Sequence, residues 1–214
     1  MIISLEIQSF HSLFDAEKIE DLREKELVPN MIVRRRLTRN AKMLIYLAHM
    51  LKVKNQRIIY GSSYGELRES ISILKSVFAK SPPSPTDFQN SVYNAPASYL
   101  SILNDNTSEI MSVSNGGKTG DNVLKTAAVK AMDKDIIFCA VCESFGIDEL
   151  RALNGCGAAF ESAVGLMVKS SDKKPDILYE NLKPLPNFVS SIAKLMSLCK
   201  YLNANPTAIV GVEC

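Results

Sequence analysis

The sequence predicts an α/β layered domain built around a mostly parallel sheet. Strand candidates alternate with amphipathic helical stretches along the 214 residues. The run Asp135–Cys142 is nearly continuous apolar, as expected of a strand covered on both faces. A third sign lies in Ser108–Met132, where SEIMSVS reads as a buried strand, NGGKTG as a glycine turn and DNVLKTAAVKAM as a helix. A strand running through glycines into a helix is where α/β proteins place a nucleophile or cradle a phosphate.

Taken in order, IISLEIQSF is an opening strand and DAEKIEDLREKEL a charged surface helix or excursion. Thr38–Leu51 places Met43, Leu44, Leu47, Met50 and Leu51 on one helical face. RIIYG is a short buried strand stopped by Gly61. Glu66–Ala79 repeats the helical pattern through Leu67, Ile71, Leu74 and Phe78. SPPSPTDF breaks it, since its three prolines cannot continue a helix. SVYNAPASYLSIL is a helix interrupted or begun near Pro96. Beyond the glycine turn, CGAAFESAVGLMVKS is a strand, KKPDILYENLKPLPN a linker, Phe188–Leu202 an amphipathic helix and TAIVGV a terminal strand. No second domain is evident. Residues 1–214 read as one unit, with its core in about residues 1–170 and the rest a linker, helix and strand.

Composition narrows the function classes. A formal net charge of +2 gives no global field for nucleic acid or an anionic membrane. No apolar run approaches the roughly 18–20 residues needed to span a bilayer. The N-terminus carries Glu6 within its apolar stretch and no basic lead, unlike a secretory signal. The five cysteines, an odd number mostly within apolar runs, fit a reducing cytoplasm better than a disulfide framework.

Each chemical candidate competes with a structural role. Ser112–Thr119 is one residue short of a phosphate-binding loop, with serine where the first glycine is required. Lys118 and Thr119 stand at the helix start, and a strand ending in Glu143 could imitate a metal-assisting acid. A tight turn that needs glycine for steric reasons explains the same residues. Cys139 and Cys142 have redox or metal spacing, but residues three apart on a strand face opposite ways. Neither a metal site nor a cofactor is expected. Cys156, flanked by glycines, is a candidate thiol whose base would have to be His11 or His49. Arg34, Arg35, Arg36, Arg39 and Lys42 form the one dense basic cluster, suited to an acidic partner or to solvent.

The order RRRLTR (Arg34–Arg39), YGSSYGEL (Tyr60–Leu67), SPTDFQNSVYNAPASYLSI (Ser84–Ile102) and SVSNGGKTG resembles the N-terminal half of β-ketoacyl synthases. The likeness is greatest to their short, half-length branch and runs from about Ile32 to Val168. Short-branch members commonly carry histidine at the place of Tyr93. The resemblance implies a thiolase-like half fold, a layered α/β/α unit around a five-stranded mixed sheet. Full-length members duplicate this unit and carry an acyl-accepting cysteine at the strand-to-helix elbow.

Aligning the elbow helix by Val123, Leu124 and Ala127 puts that cysteine at Gly116 or Gly117, and no cysteine occurs before Cys139. The second half, which supplies the family's catalytic partners, is absent as well. The resemblance therefore implies an accessory or binding protein of bacterial type II fatty-acid or polyketide synthesis, of aryl-polyene-like type, unable to condense acyl thioesters alone. No catalytic residue is assigned. Ser114, Asn115, Gly116, Gly117 and Asn94 would form the elbow and acyl pocket. Arg34, Arg35, Arg36 and Arg39 would meet an acyl carrier protein. A homodimer, or a heterodimer with a ketosynthase-like protein, would cover the apolar surface of a lone half. The alternatives are an acyl-thioester-processing enzyme completed by a dimer partner, with Ser114 as the nearest hydroxyl, and nucleotide binding by the near phosphate loop.

Overall fold

The apolar run at Asp135–Cys142 becomes β4 (Ile137–Ser144), whose first seven residues are all buried. The computed structural model describes residues 1–145 and 161–214. Cys139 packs into the core on one side of the sheet and Cys142 into the core on the other, as their odd spacing requires. Both thiols are free, and burial pushes the Cys139 thiol up to about 12. Cys156 lies outside the described residues.

Four further strands join β4: β1 (Ile2–Asp15), β2 (Arg57–Gly61), β3 (Ile110–Val113) and β5 (Glu161–Ser170). With β6 (Ile177–Leu178) and β7 (Ile209–Glu213) they form one seven-stranded sheet of order β3-β2-β4-β5-β1-β7-β6. The first five in that order give the mixed five-stranded core that the resemblance implies. The segment after residue 170 adds the remaining two strands at one edge. The sheet is not mostly parallel. β2 pairs in parallel with β3 and β4, and β6 with β7, whereas β1 pairs antiparallel with β5 and β7, and β4 with β5. Alternating strand and helix signals do not reveal that direction, because periodicity is the same either way along a strand.

Helices cover both faces. On one side lie α3 (Arg39–Met50) and α6 (Ala95–Leu103), which supply Met43, Leu44, Leu47, Ala97 and Leu100 to the core there. The Thr38 hydroxyl caps α3 by accepting the Ala41 N–H at 3.1 Å. The charged stretch before it forms only α1 (Glu24–Leu27), then α2 (Met31–Arg36) follows, capped by the Asn30 side chain. On the other face α7 (Thr119–Lys130) packs against the helix Ser190–Ala204, here α8, through Val123, Leu124, Ala127, Ile192, Leu195 and Cys199.

Two elements depart from expectation in ways that bear on function. α4 (Leu67–Phe78) is helical as its pattern predicts, yet none of its residues is buried and Phe78 is 84% exposed. Periodicity reports that a helix has an apolar face, not that its own chain covers it. α5 (Pro85–Asn90) forms within the proline-rich break, because Pro85 suits a first helical turn and Ser84 caps it. Likewise β3 is not buried but an edge strand, half-exposed and hydrogen-bonded only to β2.

Glycine sets the spacing between α7 and its neighbours. A Cβ on Gly120 would run into the Ser191 carbonyl oxygen and come within 3.1 Å of Leu195, and one on Gly61 would strike Val123. Gly120→Ala is therefore expected to lower unfolding free energy by about 1–3 kcal/mol, the usual cost of overpacking. Denaturant titration of Gly120→Ala against the wild type checks this. No measurable loss at Gly120 would contradict the packing.

Candidate functional site

The expected elbow exists. β3 ends at Val113, Ser114 and Asn115 follow, residues Gly116–Lys118 make one 3₁₀ turn, and α7 begins at Thr119. Thr119 is fully buried and organises the turn: its hydroxyl accepts the Asn115 N–H at 2.9 Å and donates to the Gly116 carbonyl at 2.8 Å. Ser114, Asn115, Gly116 and Gly117 are all exposed.

The two glycines differ in a way that sequence alignment left open. Gly116 has φ +48°, a conformation costly for side-chain-bearing residues, and its missing Cβ faces open space. A Cβ on Gly117 would lie 2.6 Å from the Ser190 hydroxyl, so the first residue of α8 fills the place where a side chain there would project. Two hydroxyls, those of Ser190 and Thr119, stand against the elbow backbone.

Behind the elbow lies a buried acid. Glu143, at the end of β4, accepts the Ser63 N–H at 2.6 Å, the Ser191 hydroxyl at 2.7 Å and the Ser62 hydroxyl at 3.0 Å. Ser62 in turn accepts the Gly65 N–H at 2.9 Å. Burial raises the Glu143 carboxyl to about 7, while the bonds from Ser63, Ser191 and Ser62 pull it back. Glu66, at the start of α4, is raised to about 8, mainly by burial and then by neighbouring Glu69. Its Oε1 is buried with no hydrogen-bond partner among the described residues, which suits an uncharged acid. From sequence Glu143 stood out only as a strand-end acid that could imitate a metal-assisting one, and Glu66 did not stand out at all. The signal available was YGSSYGEL itself, whose hydroxyls and Glu66 meet the end of β4.

The remaining candidates are dispersed. Asn94 is exposed at the start of α6 and lines a cavity of about 200 Å³ with Gln89, Asn90 and Tyr99, into which no residue of the elbow reaches. Its neighbour Tyr93 does touch the YGSSYGEL loop: the ring lies 3.0 Å from where a Gly65 Cβ would be, and its hydroxyl donates to the Ser63 carbonyl at 3.4 Å. In the basic cluster, Arg39 turns inward and grips Glu161 through Nε at 2.6 Å and Nη2 at 2.7 Å, and it also donates to the Ile19 carbonyl. Lys42 pairs with Glu24 at 2.9 Å. Arg34 donates to the carbonyls of Val28 and Pro29, whereas Arg35 and Arg36 are exposed at the end of α2. A cavity of about 220 Å³ opens beside Arg39, Asn40, Glu66, Arg68 and Glu161. No group of three or more metal-ligating side chains is assembled among the described residues. No helix among them is long and apolar enough to cross a membrane.

Residues 14–175 match the family described as beta-ketoacyl synthase, N-terminal domain, and the chain belongs to that family. No curated protein sequence matches it. Among solved structures it is similar to the ketosynthase (ApeO) in complex with its chain length factor (ApeC) from Xenorhabdus doucetiae. That match has a TM-score of 0.66 at 18% identity, over 79% of this chain and 80% of the other. The type II acyl-carrier protein–ketosynthase complex AntDE:AntF gives 0.57 at 13% identity, over 78% and 62%. A beta-ketoacyl synthase from Burkholderia phymatum gives 0.60 at 10% identity, over 97% and 62%. The chain thus spans under two thirds of the length of the latter two. The fold is that of the thiolase-like ketosynthases.

Burial raises both carboxyls above their ordinary 4.5, so the folded chain holds these protons more tightly than the unfolded one. Their stabilisation is complete at acid pH and is lost as pH rises through about 7 and about 8. The melting temperature is expected to fall between pH 5 and 8, and Glu66→Gln to flatten part of that slope. A rising melting temperature over the same range in the wild type would contradict it.

Proposed function

We propose that this chain is a non-condensing, ketosynthase-like partner in type II polyketide-type synthesis. It pairs with a ketosynthase-like chain or a second copy of itself and takes part in handling acyl groups on a carrier protein. The observation that carries this reading is Gly116: the elbow geometry is kept, while the residue at its tip has no side chain to accept an acyl group. Support for pairing comes from α4, whose apolar Leu74, Val77 and Phe78 are all exposed, and from the open edge of β3. The similarity to structures that pair a ketosynthase with a chain length factor points the same way.

Carrier-protein contact would fall on α2, where exposed Met31 and Ile32 adjoin Arg35 and Arg36. Apolar side chains rimmed by guanidinium groups suit an acidic amphipathic helix. Arg39 serves the interior instead. The buried free thiols Cys139, Cys142 and Cys199 suit a reducing, cytoplasmic setting.

A second reading, acyl transfer completed by a partner, draws on Ser190, whose hydroxyl lies beside the elbow. Nucleotide binding has less support, because the Thr119 hydroxyl is spent within its own turn.

Pairing is tested by light scattering of the purified chain, alone and co-expressed with a type II ketosynthase. A homodimer or a heterodimer is expected, with Leu74→Glu/Phe78→Glu weakening association by at least ~100-fold. A monomer that ignores the ketosynthase, or a dimer indifferent to the double substitution, would overturn the reading.

A further inference from the structure

The cavity of about 220 Å³ beside Arg39 and Glu161 has Asn40, at the start of α3, and Glu66, at the start of α4, in its wall. Both residues are buried, 1% and 4% exposed. Asn40 Oδ1 and Glu66 Oε1 each lack a hydrogen-bond partner among the described residues. The Asn40 amide is fixed, because its Nδ2 donates to the Gly65 carbonyl at 3.0 Å and leaves the oxygen as the open end. A buried oxygen without a donor is unfavourable, so two in one cavity wall call for a partner. We propose that this cavity is a binding site for a small primary amine, whose ammonium group donates to Glu66 Oε1 and Asn40 Oδ1.

Two acceptors select a donor, and the charges around them select a cation. Glu69, half-buried on α4, lines the same cavity. Of the three cations there, Arg39 is held by Glu161 through Nε at 2.6 Å and Nη2 at 2.7 Å. Lys18 and Arg68 are exposed, where water and salt screen them. Leu67 adds aliphatic surface suited to a short carbon chain. The volume is several times a water's share of liquid, so the occupant is a small organic molecule rather than a bare ion.

Entry of the amine ionises Glu66. Burial, and then Glu69, raise its carboxyl to about 8, so at neutral pH the empty cavity holds a protonated acid. Thr38 and Asn40 on α3 oppose that rise, while Glu143 on β4 adds to it. Cys142 on β4 and Tyr60 on β2 also face Glu66, and Glu17, Lys18, Arg39, Arg68 and Glu161 share its cavity. The ammonium takes the place of the proton: one cation enters and one proton leaves to solvent. An alkylamine, like a lysine, stays charged over this range. Affinity therefore rises about tenfold per pH unit below neutrality and levels off above about 8. The site is independent of whether the chain pairs with a synthase.

The probes are the hydrochlorides of propylamine, ethanolamine and putrescine at constant ionic strength, with 1-propanol as the uncharged comparison. At about 20 mM and pH ~8, at least one amine is expected to raise the melting temperature of the full chain by about 3 °C. Glu66→Gln, which keeps the shape but not the charge, should bind it at least ~10-fold more weakly. Calorimetry of the wild type at pH ~7, in two buffers of different ionisation enthalpy, should show about one proton released per amine bound. That measurement needs no variant to fold. A melting temperature unmoved by all three amines, an equal response to 1-propanol, binding that persists in Glu66→Gln, or binding without proton release would overturn the proposal.

Discussion

The close approach of α8 to α7 fixes the geometry on which the rest of the molecule depends. Gly120 lets the Ser191 carbonyl come so near that no larger residue fits without displacement. That contact brings Ile192, Leu195 and Cys199 onto Val123, Leu124 and Ala127, and it sets Ser190 beside the elbow. It also delivers the Ser191 hydroxyl to Glu143 at the end of β4. One backbone contact thus links the helical layer, the sheet and the elbow. Much of the apolar face of α7 is covered within the chain. Exposed apolar side chains include Leu74, Val77 and Phe78 on α4 and Met31 and Ile32 on α2.

The elbow of this ketosynthase-type unit is held by residues with structural partners of their own. Gly116 keeps the positive φ of the turn but carries no reactive atom. Thr119, which stands at the helix start where a catalytic or metal-binding hydroxyl would be sought, holds the loop together instead. The acids with raised proton affinity, Glu66 and Glu143, are buried behind the elbow rather than presented on it.

The alternation of strands and helices was readable in the sequence, because β4, α3 and α7 bury continuous or periodic apolar runs. The elbow was readable too, since Gly116 and Gly117 mark the turn and SPTDF with SVYNA identifies the family. Strand direction was not, as the apolar pattern of β1 and β5 is the same whichever way they run. Exposure of α4 was equally hidden: Leu67, Ile71, Leu74 and Phe78 make a proper helical stripe, and only the fold shows that it faces outward. The inward turn of Arg39 was masked by its basic neighbours, because Glu161 is 122 residues away in sequence. For the same reason Glu143 gave no sign of gathering Ser62 and Ser191.

The central claim is that the elbow holds its shape but no nucleophile. Its most direct measure is intact mass of the protein after incubation with acyl-carrier thioesters, with and without a co-expressed ketosynthase. The chain is expected to keep its unmodified mass in both cases, with any acyl group found on the partner or the carrier. An acyl adduct mapped to Ser114 or Ser190 would contradict the claim and establish the elbow as a working active site.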